Sequence, residues 1–127
     1  MGTVFISHRR SEQRDADALI DRLSGRWRVL THAVDPEAAD TWQAECTRMI
    51  GESDAVVCVV GPRTALSPNV DWELETAAAL GRPVIAVRGA DAGTPDLPAP
   101  LAARGARLRE AHELRALLDE VAFERAG

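Results

Sequence analysis

At 127 residues, 46% of them hydrophobic, the chain is long enough to bury one full core and too short for two, so a single domain over residues 1–127 is expected. The formal net charge of −5 leaves no basic surplus to displace counterions from a phosphate backbone, which excludes a nucleic-acid binder. All fifteen basic residues are Arg, which removes lysine Schiff-base chemistry and the Lys of a phosphate-binding P-loop.

In chain order, Thr3–Ser7 predicts a short buried strand and His8–Arg14 a polar loop. Asp15–Ser24 carries Ala16, Leu19, Ile20 and Leu23 on one face, an amphipathic helix that Gly25 stops. Trp27–Leu30 is a second strand, followed by the long polar loop His32–Asp40. Asp40 or Thr41 then caps a helix over Trp42–Gly51, with Glu45 completing a capping box and Trp42, Cys46, Met49 and Ile50 facing the core. The stretch Ser53–Val87 is the most informative. Its two unbroken apolar runs, Ala55–Val60 and Pro83–Val87, fit strands covered on both faces. Between them lie the loop Gly61–Pro68 and a helix over Asn69–Leu80, stopped by Gly81 and Pro83. Gly89–Pro100 is a surface loop with a short turn at Leu101–Arg104. Ala106–Arg109 is a candidate fifth strand, and Leu114, Leu117, Leu118 and Val121 place a closing helix over His112–Glu124.

Strands alternating with helices give an α/β fold: a flavodoxin-like, open, parallel, five-stranded sheet of order 2-1-3-4-5, with helices on both faces. Ligands of such sheets sit at the carboxyl ends of the strands, where the chain order reverses. The loops there are His8–Arg14 and Gly61–Pro68. Cys46 and Cys58 fall on a helix and a buried strand, which reads as two small buried hydrophobes in a reducing compartment. No run approaches membrane-spanning length and no charged-then-apolar leader opens the chain, so a cytoplasmic protein with no membrane partner is expected.

Several chemistries on this topology lack their signatures. No G-x-G-x-x-G follows the first strand and no Walker or G-x-S-x-G sequence is present. A phosphate-accepting receiver needs acids after the first strand, an Asp ending the third and a Lys after the fifth. Here the first strand ends in Ser7-His8-Arg9-Arg10, the third in Gly61-Pro62, and there is no Lys. What remains at the edge is Ser7, His8, Arg9 and Arg10, a loop with Ser67, and the pair Trp72-Glu73 near the start of a helix. Arginines suit diphosphates, an indole offers a flat face to a base, and a carboxylate accepts from vicinal hydroxyls and steadies a cationic sugar carbon. Together they suit a nucleotide with a leaving group on its anomeric carbon. Bland alternatives stand beside this. Glu73 reads equally as an acid set against the helix dipole, Trp72 and Trp42 as packing, Arg9 and Arg10 as a solvated loop, and Asp35 as a turn residue. His8 fits solvent or site, while His32 and His112 read as surface.

Val4–Glu12, V-F-I-S-H-R-R-S-E, resembles the opening of bacterial Toll/interleukin-1 receptor (TIR) domains. Ser53–Gly61 resembles that family's third strand, and S-P-N-V-D-W-E-L-E-T-A followed by G-R-P-V-I-A-V resembles its acid-bearing helix and fourth strand. The similarity is closest to the TIR-like proteins of anti-phage systems such as Thoeris. It implies NAD+ as substrate, with no metal and no resident cofactor. It also implies cleavage between nicotinamide and ribose to nicotinamide and ADP-ribose or a cyclic isomer, a messenger for a downstream effector. On this resemblance Glu73 takes the catalytic place, Ser7, His8 and Arg9 the first-loop part of the pocket, and Asp35 the BB loop that joins a neighbouring subunit. The sequence departs from the family at two places. Asn69 stands where many active members carry Trp, and Pro36 is followed by Glu37 instead of Gly. A catalytically silent TIR interaction module is therefore the second reading.

Overall fold

A computed structural model of the chain describes residues 2–32 and 39–126. Five strands and five helices alternate along it: β1 (Gly2–Ser7), α1 (Gln13–Leu23), β2 (Trp27–Thr31), α2 (Ala39–Glu52), β3 (Ala55–Val60), α3 (Pro68–Ala79), β4 (Val84–Arg88), α4 (Ala99–Ala102), β5 (Leu108–Arg109) and α5 (Leu114–Ala126). Short 3-10 turns at Arg10–Glu12, Thr64–Leu66 and Ala111–Glu113 lead into α1, α3 and α5. The sheet has the order β2-β1-β3-β4-β5 and every pair is parallel, as the strand-helix alternation predicts.

The unbroken run of β3 is explained by its two faces. Val56, Cys58 and Val60 pack with α2, α3 and α4, while Ala55, Val57 and Val59 pack with α1 and α5. Side chains alternate along a strand, so a strand covered on both sides has no polar position to offer. The helices obey their own period. Ala16, Leu19 and Leu23 of α1, Trp42, Cys46, Met49 and Ile50 of α2, and Leu114 and Leu118 of α5 are all buried. Gly25 and Gly81 turn the chain out of α1 and α3 with φ of 93° and 71°, a region an L side chain resists.

Three local expectations shift. Helix α2 begins at Ala39, so Asp40 and Thr41 stand within its first turn and not ahead of it. A reciprocal capping box is present ahead of α5, between Glu110 and Glu113. The first loop is partly helical, because the Glu12 N–H bonds the Arg9 carbonyl at 2.8 Å and starts a turn that runs into α1. Among the described residues no helix is long and apolar enough to cross a membrane.

Candidate active site

Strand β1 delivers Ser7 to the carboxyl edge of the sheet. Ser7 follows Phe5 by two residues, so both face α2 and α3, and Ser7 is in register with Cys58 of β3. Ser7 is fully buried, a hydroxyl at the end of an apolar row. Helix α3 meets it from above. Ser67 caps this helix, its Oγ accepting the Val70 N–H at 3.3 Å, and Pro68 fills the first turn, where no N–H is needed. The buried stripe of α3 runs Val70, Glu73, Leu74, Ala77, so Glu73 occupies a place where helical spacing calls for an apolar residue. It sits in the second turn of the helix, not the first. The acid set against the dipole is Asp71.

Glu73 is 4% exposed. Ser7 Oγ donates to its Oε1 at 3.2 Å, and the Cys46 thiol of α2 lies 3.9 Å from Oε2 as a weak donor. Among the described residues no cation pairs with it. Burial pushes the carboxyl up to about 8, opposed by the bonds from Ser7 and Cys46, which favour the charged form. The Cys46 thiol is pushed up to about 12 by burial first, then by the Glu73 charge, the bond to Glu73 and Glu45. Burial, then Glu73 and Asp71, raise Cys58 as well.

A cavity of about 340 Å3 opens over Glu73. Its walls are His8, Arg9 and Arg10 after β1, Gln13 of α1, His32 after β2, and the segment Leu66–Asn69 that enters α3. Its first wall is fixed by a relay. Gln13 Nε2 donates to Asp17 Oδ1 at 2.8 Å, and Gln13 Oε1 faces His8 Nε2 at 3.0 Å. The Arg9 guanidinium reaches the Arg63 carbonyl at 3.1 Å and ties the first loop to the third. The same two loops meet where Glu12 lies over Gly61, since a Cβ on Gly61 would collide with the Glu12 carboxylate.

Of the residues singled out from sequence, the structure brings His8, Arg9, Arg10, Ser67 and Glu73 to one cavity, with Ser7 directly beneath Glu73. Trp72 does not line it. Its indole stands edge-on to Trp42, with ring centroids 5.0 Å apart at 71°, against the core. Asp35 lies outside the described residues. His32, expected at the surface, is on the cavity wall with its side chain 15% exposed and Nε2 2.8 Å from Glu45 Oε2. His112 is exposed as expected. Asn69, marked in the sequence as standing in the place of a Trp, is on the wall as well, whereas nothing in the local sequence marks Gln13 and Leu66. Among the described residues no group of three or more His, Cys, Asp or Glu side chains is placed to hold a metal.

With this geometry in place, comparison with known proteins adds three findings. A sequence profile described as TIR domain matches residues 4–122. Among solved structures, the chain is similar to the TIR domains of the activated Roq1 resistosome that directly recognizes the pathogen effector XopQ. The TM-score is 0.55 at 20% identity, over 69% of this chain and 57% of that one, a likeness of fold alone. A search of curated proteins finds no match.

Proposed function

The chain belongs to the TIR domain family, and from that premise we propose that it cleaves NAD+ between nicotinamide and ribose, with Glu73 as the catalytic carboxylate. The observation that carries this is a carboxyl group buried at the floor of an open cavity, held by neutral donors and without a cation. A buried acid with no counter-charge is costly to a fold and is more common at functional sites than elsewhere.

In this proposal ionised Glu73 accepts hydrogen bonds from the ribose hydroxyls and stabilises the cationic sugar carbon as the C–N bond breaks. The bonding pair leaves with nicotinamide, which departs neutral. Arg9 and Arg10 at the wall take the diphosphate, with His8 and Ser67 beside it. Attack by water gives ADP-ribose and a proton, and attack by an adenine nitrogen gives a cyclic isomer. A cavity of about 340 Å3 accommodates a nucleoside-sized piece and leaves the rest of the dinucleotide at its open side. Residues 33–38, which include Asp35, come next in the sequence after His32. We assign them a role in self-association, so that a second copy completes the site. We extend the proposal to bacterial immune signalling, with a product read by a separate effector, a reading supported by the likeness of Ser67–Leu74 to anti-phage TIR-like proteins.

The second reading, a silent interaction module, is favoured by Asn69 on the cavity wall and by the packing of Trp72 onto Trp42, which leave no indole to stack on substrate. Incubating concentrated protein with NAD+ and analysing products by mass spectrometry separates the two. The enzyme releases nicotinamide and Glu73→Ala does not. A wild type that leaves NAD+ intact at high concentration is the silent module.

A further inference from the structure

We propose that Ser7 and Cys46 are a two-point clamp that positions the Glu73 carboxylate, one holding each oxygen, and that neither contacts substrate. This rests on the NAD+ reading above and goes beyond it.

The clamp is visible in the geometry. Ser7 comes from β1 and Cys46 from α2, and they address different oxygens of one carboxyl, at 3.2 Å to Oε1 and 3.9 Å to Oε2. Two donors from separate elements fix rotation of the carboxyl about its last bond, which a single donor leaves free. Both are fully buried, and neither lines the cavity. Cys46 sits among the apolar Trp42, Met49 and Ile50, and Glu73 is the acceptor that its thiol faces.

The chemistry of the thiol suits the task. Held up to about 12, it stays protonated across the working range, always a donor and never a competing anion. Cys58, facing from β3, is held up too and adds no charge. The charged or titratable groups near the clamp are then Glu45 on α2, Asp71 on α3, and His8, Arg9, Arg10 and His32 around the cavity. Each clamp bond stabilises the ionised form of Glu73, the form that binds ribose hydroxyls and faces the cationic sugar. Removing a donor therefore moves ionisation to more alkaline pH.

The test compares Ser7→Ala and Cys46→Val with Cys58→Val, which changes an equally buried cysteine of the same cluster that makes no bond to Glu73. The Glu73 carboxyl is titrated by carbon-13 NMR in glutamate-labelled protein, its signal assigned by its loss in Glu73→Gln. The pH dependence of kcat/KM is recorded alongside. The expected result is an alkaline displacement of the titration in Ser7→Ala, about fivefold to tenfold in proton concentration, and about threefold in Cys46→Val, because a thiol is the weaker donor. Cys58→Val titrates as wild type. Near neutral pH kcat/KM falls by the same factors and recovers above the displaced midpoint, a recovery that general damage to the fold would not show. Where Cys46→Val fails to fold, Cys46→Ala removes the same donor and is held to the same outcome. Unchanged titration in the Ser7 and Cys46 variants, or an equal displacement in Cys58→Val, overturns the clamp. A wild type that leaves NAD+ intact overturns the parent reading and is seen in the kinetic arm, whereas the NMR arm judges the contact itself.

Discussion

The carboxyl edge of the sheet carries acids on both of its sides, and they are treated in opposite ways. On the α1/α5 side a second cavity, of about 240 Å3, is bordered by Asp15 and Glu110, and each has a partner. Asp15 Oδ1 accepts the Ala90 N–H at 3.2 Å, with its other oxygen packed where Gly89 has no Cβ. Glu110 accepts Arg88 Nε at 2.9 Å and shares the capping box with Glu113. On the α2/α3 side Glu73 is more deeply buried and is held by a hydroxyl and a thiol. The satisfied acids fasten loops. The deeply buried acid held without a counter-charge stores free energy that a ligand can release, whereas Asp15, held by an N–H, is nearer solvent, and this difference in burial locates the chemistry better than the number of acids at either place.

The largest effect should come from deleting that charge. Glu73→Gln keeps the shape and removes ionisation, and is expected to lower nicotinamide release at least about 100-fold, the scale of losing a group aimed at developing charge. It should also stabilise the protein in alkali. Folding raises the carboxyl from 4.5 to about 8, so between these values the folded chain keeps a proton that the unfolded chain has released. The stability this group contributes therefore falls as pH rises through that window and is lowest above about 8. Gln has no such loss, so the variant should exceed wild type by a few kcal/mol, in order of magnitude, above that window and converge with it at acid pH. Thermal melts on the two sides of the window check this. A wild type as stable in alkali as the variant would mean that Glu73 ionises there without penalty, and the contrast between the two sides would collapse.

A smaller effect is expected at the seam between the sides. Gly61→Ala puts a methyl into the place of the Glu12 carboxylate, and because that carboxylate ends a flexible side chain that can shift, the cost is expected at the low end for overpacking, about 1 kcal/mol. Chemical denaturation measures the cost, and adding Glu12→Ala should return most of it if the collision is the cause. The third loop also builds the cavity wall, so nicotinamide release should fall in Gly61→Ala and recover in the pair.

What the sequence disclosed follows from which residues report on themselves. The runs of β3 and β4 and the stripes of α1, α2 and α5 repeat with the period of their element, so strand order and helix faces were legible. Glu73 was legible too, and its place inside the stripe Val70, Leu74, Ala77 argues for burial against the reading of a dipole-facing acid. The loops have no such periodicity. Leu66 and the helix-start residues Gln13 and Asn69 reach the cavity only because parallel strands bring separate elements to one edge, and His32 joins them for the same reason. Trp72 misled through its neighbour. Being next to Glu73 in a helix turns it about 100° away, which here leads it to Trp42 and the core.

The two smallest effects bear on each side in turn. Ser67→Ala removes the acceptor for the Val70 N–H and should cost about 1 kcal/mol, the usual value of an N-cap. Because α3 carries Glu73 one turn further on, turnover should fall with it. Arg88→Ala breaks the 2.9 Å pair with Glu110, but those side chains are 33% and 47% exposed, so solvent already screens the pair. Its loss should change stability by less than about 1 kcal/mol and leave nicotinamide release unaltered. The comparison matters more than either value. Arg88 and Ser67 sit at the same edge of one sheet, and only the residue on the Glu73 side is expected to touch turnover. If Arg88→Ala slows the reaction as much as Ser67→Ala, the fastened side is coupled to the reactive one, and the edge must be treated as one site.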